Sequence, residues 1–280
     1  MAAQLANMEQ ARAWDGPEGD RWALQEERYD ASTAAHTGHL LRAAAIRPNE
    51  RVLDIGCGCG VTTWRAAAQT RGQVVGVDLS ERMLTRARQR ATPNGADHVT
   101  FVQADAQVHQ FDAGAFDVVI SKFGATFFAD PITAFTNIGD AVRPGGRLLM
   151  LTWGELRANP WVMEIRTALA AGRELPYPPA HAAGPFGLAD PDYIHSVLGQ
   201  AGWRSVRLTE IAEPVHFGDD VDDAFAFVSQ MGFTLGLLNG LDSATRDLSL
   251  KRLRHALDAA MTGGSVSLPA QAWLVQAQRA

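Results

Sequence analysis

The chain has 280 residues, 46% of them hydrophobic and 20% charged, enough apolar mass to bury a substantial core in one or two domains. A formal net charge of −6, with no basic run interleaved with aromatics, argues against a protein that lives on phosphate backbones. Two cysteines cannot build a disulfide scaffold. No stretch approaches about 18 unbroken apolar residues, and the N-terminus lacks a basic start before an apolar core, so the expectation is a cytoplasmic protein with no membrane span.

Taken in chain order, residues 1–46 have helical character and close at Ile46-Arg47-Pro48, giving an N-terminal helical cap. Inside it, His36 and His39 stand three apart and share a helix face. Glu26 and Tyr29 occupy a helix that could close over a ligand, and Trp14 and Trp22 flank the turn-rich acidic stretch "WDGPEGDRW". Trp22 reads as an anchor pinning this arm to the core. From 47 to 153, short apolar runs alternate with helical patterns, the βαβ signature of a parallel sheet. The runs are "RVLDI" (51–55), "QVVGVD" (73–78), "VTFVQAD" (99–105), "FDVVIS" (116–121) and "GRLLMLTW" (146–153). Several are apolar at consecutive positions, as expected of strands covered on both faces. Ser80 and the pair Asp130-Pro131 are the expected starts of two of the intervening helices. Residues 154–190 are rich in Pro and Gly and read as a long irregular insertion on the substrate side. Residues 191–280 complete the core: a capped helix from Asp190-Pro191, a strand at 203–211 and a last strand at 272–279. Between these strands, a helical insertion over about 214–268 is expected, with two helices over 219–262 broken near Asn239-Gly240.

The stretch "VLDIGCGCG" (52–60) carries the chemistry. A strand ending in Asp54, then Gly56-x-Gly58-x-Gly60, then a helix, is a ligand-binding turn: glycines let the backbone turn sharply and let a ligand touch it. It is answered by Asp78 at the end of the next strand, where a carboxylate can accept from both hydroxyls of a ribose. A nicotinamide or flavin fingerprint would need glycine at position 61, where Val61 stands. Asp54, just before the first glycine, suits a ligand end carrying an ammonium better than one carrying pyrophosphate. Both cysteines of the chain, Cys57 and Cys59, lie in this loop. With no further cysteine to complete a metal set, and Cys-x-Cys in place of the redox spacing Cys-x-x-Cys, they fill small positions in a tight turn, and no metal is expected.

Together "VLDIGCGCG", "VVGVDLS", "FVQADAQ", "FDVVISKFGATFFADP" and "VRPGGRLLMLTW" resemble the successive motifs of the class I S-adenosylmethionine-dependent methyltransferases, near the branch of the ubiquinone and menaquinone C-methyltransferases. The resemblance covers roughly residues 45–155 strongly and the C-terminal part loosely. It implies an α/β fold, a Rossmann-like seven-stranded mostly parallel sheet with helices on both faces, capped by the N-terminus and the insertions. It also implies S-adenosylmethionine as cofactor and S-adenosylhomocysteine as product. Gly56, Cys57, Gly58 and Gly60 would then lie against the methionine and ribose portion, and Asp54 would help hold the amino group through water or neighbouring backbone. Asp78 would bind the ribose hydroxyls, and Leu79 and Met83 would pack near the adenine. Asp105 and Ala106 would meet the adenine edge with Gln107 beside them. Ser121 and Lys122 would offer backbone carbonyls near the sulfonium.

The expected activity is methyl transfer to a small, partly apolar metabolite of secondary metabolism, by in-line displacement dominated by position and desolvation. A quinone-precursor C-methyltransferase and a non-catalytic cofactor-binding protein are the alternatives. A base, where one is needed, should come from the cap; His36, His39, Tyr29 and Glu26 are the candidates, and His181 and His216 read as bystanders. The expected partner is a small molecule rather than a nucleic acid, with the protein a monomer or homodimer.

Overall fold

Residues 5–90 and 97–280 are described by a computed structural model. Residues 1–4 of the predicted N-terminal helical segment, and Ala91 at the end of the helical pattern that starts at Ser80, lie outside them. The N-terminal segment is four short helices: α1 (Met8–Trp14), α2 (Pro17–Leu24), α3 (Glu26–Ser32) and α4 (Ala34–Ala44). Pro17 opens α2 at its first turn, where a missing N–H costs nothing, and Ala45 ends α4 in a left-handed conformation.

The core follows as β1 (Val52–Ile55), α5 (Val61–Ala67), β2 (Val74–Asp78), α6 (Glu81–Gln89), β3 (Val99–Gln103), β4 (Phe116–Lys122), α7 (Pro131–Ala141) and β5 (Val142–Trp153). The caps are where the sequence puts them: the Ser80 side chain accepts from the Met83 amide at 3.3 Å, and Asp130 from that of Thr133 at 3.0 Å. Beyond β5 come α8 (Pro160–Ala170), α9 (Pro191–Gln200), β6 (Trp203–Ile211), β7 (Val215–Gly218), α10 (Val221–Val228), α11 (Gly232–Leu238), α12 (Ser243–Ala259), β8 (Met261–Thr262), β9 (Ser265–Leu268) and β10 (Ala272–Arg279).

The main sheet has seven strands in the order β3-β2-β1-β4-β5-β10-β6. The first five are parallel, and β10 runs antiparallel to both β5 and β6. This is the α/β, Rossmann-like, mostly parallel seven-stranded fold expected. Alternation within β1 sends Val52 to one core and Leu53 to the other, so both faces of the sheet are covered. The order reverses between β1 and β4, which opens a crevice at the carboxyl ends of those strands, the usual ligand position in such sheets.

Three expectations are corrected. The insertion 154–190 is not irregular throughout: Pro160 starts the 11-residue α8, which buries Trp161, Val162, Ile165, Ala168 and Leu169 at helical spacing. Residues 219–262 hold three helices rather than two, because the chain also breaks at Ser229–Met231 between α10 and α11. The surrounding insertion is not purely helical either. It contains a second sheet, β7-β9-β8, whose strands of two to four residues are too short to leave a period-2 pattern. No described helix is long and apolar enough to cross a membrane.

Candidate functional site

A cavity of about 430 Å³ opens at the crevice between β1 and β4, floored by the core and roofed by the N-terminal helices. Its floor begins where β1 ends. The Gly56 and Cys57 amides both donate to the Val77 carbonyl, at 2.8 and 3.1 Å, which folds the loop back over β2. Gly56 is required on two counts. Its φ is +64°, and a Cβ there would sit 2.7 Å from Gly124 Cα. Two backbones thus cross with no side chain between them, and both border the cavity.

Asp78 closes the loop from the next strand. One carboxylate oxygen accepts from the Gly58 amide at 2.8 Å and the other from the Ser80 amide at 2.9 Å. Burial raises its pKa despite these bonds. Asp78 therefore fixes the glycine loop and also faces the cavity, with Leu79 and Met83 beside it.

The other expected cofactor contacts divide. Gly58, Asp105 and Ala106 line the cavity. Asp54 does not: it is fully buried under the loop, where the Thr62 and Thr63 hydroxyls donate to one oxygen at 2.6 and 2.7 Å. Its second oxygen has no partner among the described residues, and burial pushes its pKa up to about 6. Ser121 is likewise turned away from the cavity, its hydroxyl donating to the Ile55 carbonyl at 2.8 Å and accepting from the Ala125 amide. Gln107 accepts from the Asp130 amide and lies behind the wall. Cys57 and Cys59 are free and buried; burial pushes the Cys57 thiol well up and that of Cys59 to about 12. Both thiols are therefore protonated at neutral pH. Among the described residues no cluster of three His, Cys, Asp or Glu could hold a metal.

Asp105 has company that sequence reading missed. Its carboxylate accepts from the Ala6 and Asn7 amides at 2.8 Å each, from Asn7 Nδ2 at 2.6 Å and from the Gln107 amide at 3.0 Å. Asn7 Oδ1 in turn accepts from the Ala129 amide. The N-terminal arm is thereby latched to the far side of the cavity, and Arg82 of α6 holds Asp15 and Asp20 of the same arm. No local pattern marks Asn7, because its partner stands 98 positions away.

The opposite wall is aromatic. Phe123 stacks on Trp153 at 4.1 Å, and Trp161 and Phe233 continue the surface. Phe123 has φ +61°, a strained conformation for a bulky residue, held here by that stack. Trp14 and Trp22 both reach the cavity from the roof. Trp22 stacks face to face on Tyr29 at 3.8 Å, and Trp14 meets Phe127 edge-on.

The four candidate bases are not gathered at one point. Tyr29 lines the cavity, but burial raises its pKa above that of a free phenol. Glu26 borders a small side cavity and is bound by Arg86 at 2.6 Å and Arg90 at 3.5 Å. His36 is wholly buried between Phe123 and Trp153, with neither ring nitrogen bonded to a described residue and its pKa pushed down to about 4 by burial. His39 pairs with Glu213 at 2.8 Å on the outer side of α4. The spacing of three thus sets one histidine in the core and the other at its rim. His181 stacks on Tyr193 in the loop before α9, and His216 pairs with Asp219; neither borders the cavity.

Comparison with known proteins adds a family to this geometry. Residues 52–146 match the model of a family described as a methyltransferase domain. The match spans about a third of the chain. It contains β1 through β4 and the start of β5, and with them the glycine loop, Asp78 and Asp105. Among curated relatives, the aklanonic acid methyltransferase DauC of Streptomyces sp. is 36% identical over 101 residues, 35% of this chain and 46% of DauC. The ubiquinone/menaquinone C-methyltransferase UbiE of Shewanella frigidimarina is 34% identical over 116 residues, 40% of this chain and 46% of UbiE. The chain thus spans about half the length of the curated relatives it matches. Among solved structures, YcgJ of Bacillus subtilis superposes with a TM-score of 0.57 at 19% identity, covering 88% of this chain and 98% of YcgJ. A phosphoethanolamine N-methyltransferase of Haemonchus contortus gives 0.60 at 17% identity, covering 99% of this chain and 60% of that enzyme. These superpositions share the fold of the methyltransferase domain.

Proposed function

We propose that this protein transfers the methyl group of S-adenosylmethionine to a small, partly apolar molecule. The observation that carries this reading is one continuous cavity with two chemically distinct ends, Asp78 and the glycine loop at one and the Trp153–Trp161 surface at the other. The first end suits the cofactor: Asp78 is a buried carboxylate facing the cavity, and the loop beside it has no Cβ to fill the space at Gly56 and Gly58.

In this reading Asp78 accepts from the ribose hydroxyls, the backbone of Gly56–Gly60 lies along the methionine portion, and Leu79 and Met83 pack on the adenine. Asp105 and Ala106 border the adenine edge. Asp54 acts indirectly, by fixing Thr62 and Thr63 below the loop. When bound, S-adenosylmethionine supplies both the electrophilic methyl and its own leaving group. The protein's share is position and dryness: the aromatic wall orients an acceptor, and the N-terminal roof, latched through Asn7 and Asp105, excludes water. We read residues 1–46 as roof, 47–153 as cofactor core, 154–190 as part of the acceptor side, and 191–280 as completion of the core with an insertion over about 214–268. A soluble cytoplasmic setting and a monomer or homodimer complete the reading.

The test uses methyl-labelled S-adenosylmethionine, purified protein and a cell extract separated into small-molecule, lipid, protein and nucleic-acid fractions. Label in the small-molecule fraction is expected. Label in the lipid fraction would favour a quinone-type acceptor, and label on macromolecules would overturn the proposal.

A further inference from the structure

Acidic side chains outnumber basic ones on the cavity wall. Glu18, Asp78 and Asp105 border it, and among the described residues one Lys, Arg or His does: Lys122, the last residue of β4. Lys122 also borders the small side cavity next to Gly58, Cys59 and Thr62, where it is again the sole cation. Its side chain is 12% exposed. An ammonium that deeply buried needs a counter-charge or strong acceptors, because water no longer serves.

Lys122 has little of either. Its Nζ donates one long hydrogen bond, 3.4 Å to the Thr33 hydroxyl, and stands 3.9 Å from Asp30 Oδ1. Asp30 is already committed, since its other oxygen accepts from Arg90 at 2.5 Å. Glu26 is bound by Arg86 and Arg90. Glu26 and Asp30 are thus matched by Arg86 and Arg90, and the remaining carboxylate that acts on Lys122 is Asp54. Asp54 is turned to Thr62 and Thr63 and shares no bond with Lys122. Two of the three ammonium hydrogens have no acceptor among the described residues, and burial lowers the pKa of the group accordingly.

We propose that Lys122 is the anion-binding residue of this cavity, donating to a carboxylate or ionised hydroxyl oxygen of the bound ligand. Within the methyl-transfer reading on which it rests, that oxygen belongs either to the α-carboxylate of the cofactor or to an acidic group on the acceptor. The residue's role is specificity, and removing its charge discriminates between ligands that have the oxyanion and those that lack it.

The experiment pairs a ligand that has the oxyanion with one that lacks it. Calorimetry measures S-adenosylhomocysteine against 5′-methylthioadenosine, which lacks the amino-acid end. Tryptophan quenching measures 1-naphthoate against 1-naphthol at a pH where the latter is neutral. Each is run on the wild type, Lys122→Met and Lys122→Arg, with thermal melts confirming folding. A loss of at least tenfold for S-adenosylhomocysteine alone assigns Lys122 to the cofactor, and the same loss for naphthoate alone assigns it to the acceptor. In either case Lys122→Arg should recover much of the affinity. Equal affinities across all three proteins, or an equal loss for both members of a pair, overturn the proposal. If the wild type binds no S-adenosylhomocysteine, the methyl-transfer reading fails, and the naphthoate pair still decides the role of Lys122. Should Lys122→Met not fold, the comparison between wild type and Lys122→Arg decides: an unchanged preference for the charged member then supports the proposal, and its absence in both overturns it.

Discussion

Asp78→Ala is the most informative single change, because Asp78 serves two purposes whose costs can be separated. On the ligand side, a carboxylate accepting from two ribose hydroxyls makes two charge-assisted bonds, each worth about 1.5–3 kcal/mol. Even the loss of the weaker pair corresponds to about a hundredfold in Kd, at about 1.4 kcal/mol per factor of ten. On the protein side, the same substitution strips the Gly58 and Ser80 amides of their acceptors. From sequence alone the fold is expected to survive the change untouched. The structure revises that expectation: each orphaned amide costs about 1–3 kcal/mol where water cannot reach it, and each kcal/mol lowers the melting temperature of a chain this size by about 2–4 °C. Calorimetric titration with S-adenosylhomocysteine at 25 °C, beside thermal melts without ligand, reads both. The expected result is affinity reduced by about two orders of magnitude and a ligand-free melt lowered by several degrees. A folded variant whose Kd stays within threefold of wild type would refute the ribose assignment.

Gly56→Ala and Gly124→Ala each place a Cβ under 3 Å from the other glycine's Cα, so urea unfolding should show a loss of about 1–3 kcal/mol for each. A double variant costing clearly less than the two losses together would show that they relieve one shared clash; strict additivity would argue against it. Asp54 titrates near pH 6 in the folded chain, above the unfolded carboxyl, so its protonated form stabilises below pH 4 and that contribution is lost as pH rises through 6. The stability of wild type relative to Asp54→Asn should therefore fall by on the order of 3 kcal/mol between pH 4 and 7; a flat difference would contradict the buried, half-unpartnered carboxylate. His36 is displaced the other way, to about 4, so the wild type loses stability as pH falls from about 6.5. His36→Phe should gain on wild type by on the order of 3 kcal/mol across that window, and a difference independent of pH would mean that His36 is accessible to protons after all.

The strands and the glycine loop were legible because their information is local. An apolar run bounded by Asp54 and Gly56 is its own evidence, and so is Ser80 ahead of an apolar stripe. The helix α8 was obscured by proline on both sides: Pro160 at its start looks the same in a sequence as the prolines of the irregular 175–190 stretch. The small sheet β7-β9-β8 pairs residues some fifty positions apart in strands too short to show alternation. In the site, Asp78 could be read from its place at the end of β2, whereas the bonds from Asn7 to Asp105 and the stack of Phe123 on Trp153 exist only once the chain has folded. Candidate bases chosen by residue type fared unevenly for the same reason. Whether His36 faces a ligand or a core depends on Phe123 and Trp153, and nothing near position 36 encodes them.

The placement of β10 has a consequence for how the molecule comes into being. Ala272–Arg279 is an interior strand, hydrogen-bonded to β5 on one side and β6 on the other. During synthesis β6 emerges some sixty residues before the strand it must pair with, and it meets no other strand of the main sheet. Trp203, whose indole N–H donates to the Phe135 carbonyl, waits with it. The nascent chain therefore carries an unpaired β5 edge and an orphan β6 until Ala272–Arg279 clears the ribosome, and only then does the sheet zip shut from both sides at once. A chaperone that shields exposed strand edges would have its longest task here, on the half of the molecule farthest from the glycine loop.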